Sequence, residues 1–137
     1  MRKSTIVAVL VAALAAPDIH AANVTEANLE KAMKDVQDGA NAIRGANGDM
    51  AVAATSAKGV EAALASVEAF WTARKDDGAV KMSGAARDAA RAVAKAAEGK
   101  DAAALGEATR AMFGTCRTCH DIHRERQPDG TYRLKGN

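Results

Sequence analysis

The stretch "LEKAMKDVQDGANAI", Leu29 to Ile43, decides the fold. Leu29, Met33, Val36, Ala40 and Ile43 recur at alternating steps of four and three, which sets them along one face of a helix. The same rhythm returns in Val60, Leu64, Val67 and Trp71, and again in Leu105, Ala108, Met112, Thr115, Cys119 and Ile122. No strand alternation competes with it. Breaks at "GANG" (Gly45 to Gly48), "DDG" (Asp76 to Gly78), Gly99-Lys100 and "PDG" (Pro128 to Gly130) leave four helical segments. They span about 25–44, 49–74, 79–98 and 101–126, with Asp49 and Asp101 placed as N-caps. Short connections between helices with one apolar seam each favour antiparallel neighbours. The expected fold is therefore all-α, an up-down-up-down four-helix bundle, with "QPDGTYRLKGN" as a turn and a loosely packed extension.

Length and composition narrow the class. The 137 residues suit one domain. Alanine makes up about a quarter of them and aromatics only 3%. Alanine favours helix but buries little area, so such a core stabilises poorly for its length and leaves room for something else. The first residues, "MRKSTIVAVLVAALAAPDIHAAN", carry basic Arg2 and Lys3, an apolar run and small residues beyond, the pattern of a secretory signal. The run is too short for the ~20 residues of a membrane span, so cleavage is expected, after Ala21. The mature domain is then 22–137, with no stable membrane anchor. Losing two basic residues and one acidic one takes the formal charge from +2 to +1. Without a basic stripe or interleaved aromatics, nucleic-acid binding is not expected. No serine, histidine and carboxylate set and no phosphate-binding glycine loop is present, so an enzyme is not expected either.

Both cysteines stand in "MFGTCRTCHDIHRER", Met112 to Arg126. Cys116, Cys119 and His120 form C-x-x-C-H, the attachment signal of c-type haem, in which two thiols add to the porphyrin vinyl groups and the imidazole becomes the proximal iron ligand. Residues three and four apart share a helix face, so one face presents all three. Three other readings fit less well. A redox dithiol is expected beside a βαβ pattern, a zinc site needs about four ligands, and a disulfide across one helical turn would close almost no loop.

An exported four-helix bundle with this motif near its C-terminus resembles the class II c-type cytochromes, the cytochrome c prime family. The resemblance covers the chain from about Thr25, and its specific part is Cys116-Arg117-Thr118-Cys119-His120 followed by Arg124. It implies a single covalent haem c, a periplasmic location and single-electron transfer between unidentified donor and acceptor proteins. It also implies a place for Arg124 beside a haem propionate. The chain departs from the family at His123, where relatives often have an aromatic residue, and in the short "KDDGAV" joining helices two and three.

The sixth iron position separates the functional readings. A methionine there makes a low-spin electron carrier, whereas an open position admits small gases. His123 lies one turn from His120 on the same helix and Met112 is on the wrong side, so neither reaches the far face; His123 is expected in solvent. Counting rise along an antiparallel bundle puts His120 about 9 Å and Met33 about 12 Å from the same end. Met82 lies only about 4 Å in and is the second choice, while Met50 falls at the opposite end. The resemblance favours Met33 as well, since low-spin relatives place a ligating methionine in the first helix, commonly followed by lysine. Space filling in the core would equally explain its seam position. Depth also brings Phe70 and Trp71 to the haem wall. The expectation is a His120/Met33 electron carrier, with a five-coordinate protein binding nitric oxide or carbon monoxide under Leu29 as the alternative. A haem-free dithiol module ranks third. Alanine-rich faces could support a homodimer.

Overall fold

Thr25 starts the first helix by accepting the Asn28 amide on its side-chain oxygen at 3.2 Å, and three aspartates repeat the device. Asp49 accepts from Ala51 and Val52, Asp76 from Ala79, and Asp101 from Ala104. Each cap satisfies first-turn amides that lack a partner inside the helix. The structure, a computed structural model, describes residues 25–135. The expected export signal lies outside the described residues.

The four helices are α1 (Glu26–Gly45), α2 (Met50–Ala73), α3 (Asp77–Glu98) and α4 (Ala102–His123). The third starts two residues earlier than expected. Asp76 caps it, and the break falls instead at Lys75, whose φ of 58° ends the preceding segment.

The larger difference lies at the C-terminal end. The fourth helix stops at His123, and Arg124 is extended at φ −128° and ψ 150°. Strand β1 (Arg124–Arg126) pairs antiparallel with β2 (Tyr132–Leu134), with Arg124 opposite Leu134 and Arg126 opposite Tyr132. The "PDG" turn makes this possible. Gly130 takes a φ of 86° that a side chain would resist, its amide donates to the Gln127 carbonyl at 3.0 Å, and Asp129 accepts from the Thr131 amide at 2.9 Å. The hairpin is tied back to the helix. The Lys135 amide donates to the His123 carbonyl at 2.9 Å and its ammonium to the Asp121 carbonyl at 2.8 Å, serving oxygens that the helix end leaves unpaired. As far as Lys135 the tail is thus a paired hairpin, not a loose extension.

Ion pairs fix the helix directions. Glu26 at the start of α1 meets Arg74 just past α2 at 2.7 Å, Lys58 early in α2 meets Glu98 at the end of α3, and His123 at the end of α4 faces Asp76 before α3. Consecutive helices are therefore antiparallel, as expected. The packing is extensive between α1 and α2, α2 and α3, and α3 and α4. The first pair approach closely at Gly39, where a Cβ would stand 2.6 Å from Val60 Cγ2.

Nine of the nineteen buried apolar residues among those described are alanine, so the core is thin and rests on Val60, Leu64, Val67, Phe70 and Val93. Helix α4 contributes only Met112 as a fully buried side chain, and Ile122, expected in its seam, is 50% exposed. The backbones of α1 and α4 scarcely approach one another. One side of the bundle is open.

Candidate functional site

The open side is a cleft of about 1250 Å³. That exceeds the ~300–1,000 Å³ of ordinary small-molecule pockets and gives room for a large flat group. One wall is α1, with Leu29, Met33, Val36 and Ala40. Opposite, α4 supplies Phe113, Cys116, Cys119 and His120; Leu64, Val67 and Trp71 of α2 and Met82 of α3 lie behind, and Tyr132 and Leu134 of the hairpin close one end.

The structure brings together most of the residues singled out in the sequence. Cys116, Cys119, His120, Met33, Met82, Trp71 and Arg124 all line this cleft. Phe70 does not. It is fully buried behind Trp71, their rings edge to face at 5.1 Å, and the Arg74 guanidinium covers it at 4.4 Å. Adjacent helical residues point in different directions, so only one of the pair can face the cleft.

Arg44 sets the level of α1 against α4, its guanidinium lying over the Phe113 ring at 3.9 Å. Equal steps back along α1 and on along α4 bring Gln37 level with His120, with Met33 four residues further, about 6 Å. Met33 therefore stands on the facing wall about one turn from the level of His120. Met82, on α3, lines the same cleft.

Two residues differ from expectation. Arg124 was expected one helical turn beyond His120, but the helix has ended there, and its guanidinium stacks on Tyr132 at 4.0 Å while still lining the cleft. His123 is not in solvent. Its side chain is 15% exposed, with Nδ1 3.6 Å from Asp76 Oδ2 and its ring 5.1 Å from that of Trp71. Tyr132, Leu134 and Arg44 were missed as cleft residues. The signal for the first two was present in "RERQPDGTYRL", a Pro-Asp-Gly turn between two short runs.

The electrostatics follow from partial burial. Both thiols sit above the ordinary cysteine range, Cys116 through burial, partly opposed by its own backbone hydrogen bond and Arg44, and Cys119 through burial reinforced by Cys116 and Asp76. Burial, then the Arg124 charge, lowers the His120 pKa below that of a free imidazole. The site thus offers a neutral imidazole and two protonated thiols at neutral pH. Among the described residues no three histidine, cysteine, aspartate or glutamate side chains converge as a chelate.

Compared with protein-family models, curated proteins and solved structures, the chain matches none.

Proposed function

We propose that the chain is an exported c-type cytochrome of the class II kind, which carries single electrons in the periplasm between donor and acceptor proteins. The observation that carries this reading is the shared opening of Cys116, Cys119 and His120 on one wall of a large apolar cleft, with Met33 on the other. A haem held there supplies a one-electron couple. Cys116 and Cys119 would hold it through thioethers, His120 would bind the iron from α4, and Met33 would reach it from α1. Trp71, with Leu64 and Val67, would give the group an apolar wall. The thin core supports the same reading, because a porphyrin contributes the apolar area that alanine lacks.

The alternatives stand lower for physical reasons. A redox dithiol works through a thiolate stabilised below the ordinary range, whereas burial raises both thiols here. A zinc site needs ligands that converge, and those described do not. The five-coordinate gas-binding reading draws support from Leu29, which lines the same wall one turn from Met33 and could cover an open iron position.

Visible spectra of the protein produced with haem-attachment machinery, oxidised and reduced, beside Met33→Ala, separate these readings. A low-spin spectrum with a methionine-to-iron charge-transfer band that the substitution abolishes is expected. A high-spin spectrum indifferent to it, with ready carbon monoxide binding, would select the gas-binding protein. A colourless protein with free thiols would reject both.

A further inference from the structure

His123 closes α4 with its imidazole held from two sides. Nδ1 faces Asp76 Oδ2, and the ring rests beside Trp71. Asp76 is itself fixed, because its other oxygen, Oδ1, accepts the Ala79 amide at 2.9 Å as the cap of α3. The orientation of the ring is therefore set by two helix ends. The remaining nitrogen, Nε2, is buried without a hydrogen-bond partner, yet the residue lines the cleft. Buried polar atoms nearly always find partners in folded proteins, so the partner of Nε2 is to be sought in what the cleft holds. The resemblance implies that anchoring role for Arg124, which here lies past the helix end with its guanidinium over the Tyr132 ring while still lining the cleft.

We propose that His123 is an anchor for a carboxylate of the bound group, its Nε2–H donating a hydrogen bond to a haem propionate. This rests on the haem reading, and it adds a residue at which the chain departs from the family that it resembles. The propionates are the polar groups on the porphyrin edge. Nδ1 stands 3.6 Å from Asp76 Oδ2, beyond hydrogen-bond length, so Nε2–H is the donor left for the bound group, and hydrogen bonds to a charged carboxylate are the short, strong ones. By drawing charge from the carboxylate the bond favours the reduced state, so His123 raises the reduction potential as well as orienting the ring.

The test uses the full chain loaded with haem, in three forms: unmodified, His123→Phe and His123→Gln. Phenylalanine keeps an aromatic ring beside Trp71 but removes the donor, and glutamine keeps an N–H donor. The readouts are the reduction potential and the propionate carboxylate bands in redox-difference infrared spectra. The expected result is a fall in potential for His123→Phe of about 59 mV, a tenfold change in the oxidised-to-reduced ratio, with displaced carboxylate bands. His123→Gln restores much of both. A loaded His123→Phe protein with unchanged potential and bands would overturn the anchor alone. An unmodified chain whose intact mass shows no added haem would overturn the haem reading and the anchor with it. Should His123→Phe fail to accumulate, nitrogen-15 histidine spectra of the unmodified reduced protein decide. An Nε2 proton with the strongly downfield shift of a charge-assisted hydrogen bond supports the anchor, and one without that shift rejects it.

Discussion

Replacing Met112 by alanine probes how the proposed haem-bearing helix is held. Met112 is 0% exposed and is the one fully buried side chain of α4, about two turns before His120 and turned to the core rather than to the cleft. Its neighbours along the seam, Leu105, Ala108 and Phe113, pack only partly buried against the core, so little else compensates. Truncating a buried methionine costs about 2–5 kcal/mol from lost transfer energy and the cavity left behind. A loss of about 3 kcal/mol in a domain of ~100 residues corresponds to a melting temperature lower by about 12–24 °C. That is a large fraction of the ~5–15 kcal/mol that holds such a domain together. Met112→Leu, which nearly conserves volume, should cost less than about 1.5 kcal/mol. Thermal unfolding followed by far-ultraviolet circular dichroism gives the energies, and amide hydrogen exchange gives the location. The amides of α4 should lose protection before those of α2 and α3. A Met112→Ala protein destabilised by less than about 1 kcal/mol, or one whose α4 amides stay as protected as in the parent, would refute the claim that this residue anchors the helix.

Four further outcomes are expected. Gly39→Ala should destabilise despite the ~1 kcal/mol helix-propensity gain of alanine, because its Cβ would meet Val60 Cγ2 at 2.6 Å and the Ser56 carbonyl at 3.3 Å; pairing it with Val60→Ala in a double-mutant melt should recover part of the loss. The Cys116→Ala, Cys119→Ala chain should unfold at a lower midpoint than the haem-loaded protein, and an unchanged cooperative midpoint would contradict the view that the cleft is filled by a structural cofactor. In the chain before attachment, both cysteines should alkylate more slowly than free cysteine at pH 7–8, since burial raises both thiols. Because the folded chain holds those thiol protons more tightly than the unfolded one, their contribution to stability is present below the ordinary thiol range of about 8.5 and is lost as the pH rises through the raised values. Denaturant melts across that interval should show the decline.

The helices were legible because each carries a seam and a polar cap. Asp49 and Asp101 are N-caps as expected, and Leu29, Val36, Ala40 and Ile43 are buried. The end of α4 was not legible from periodicity, because "HRERQ" continues a polar helical face as readily as it begins a strand. The choice is made by the turn at Gly130 and by the bonds from Lys135 back to α4, interactions that join residues well apart in sequence. The site was legible as a set of residues but not as a set of directions. Phe70 and Trp71 are equally apolar neighbours, and only packing against Arg74 on one side and His123 on the other shows which one meets the cleft. His123 looked like a surface residue because its partner, Asp76, lies in a turn between two other helices.

The separation of α1 from α4 bears on how the chain reaches its folded state. Each extensively packed helix pair joins neighbours in sequence, across connections of a few residues. Chains dominated by local contacts fold quickly, because little loop entropy is lost before contacts form. The pairing that would require the two ends of the bundle to meet, across most of the chain, is sparse, with Arg44 over Phe113 among its few contacts. A bundle built this way can assemble first and leave its most distant closure to a molecule bound between its first and last helices. Under the proposed haem reading, an early fold would hold the Cys116 and Cys119 thiols at an open seam for the attachment chemistry, and the bundle would close only once it is loaded.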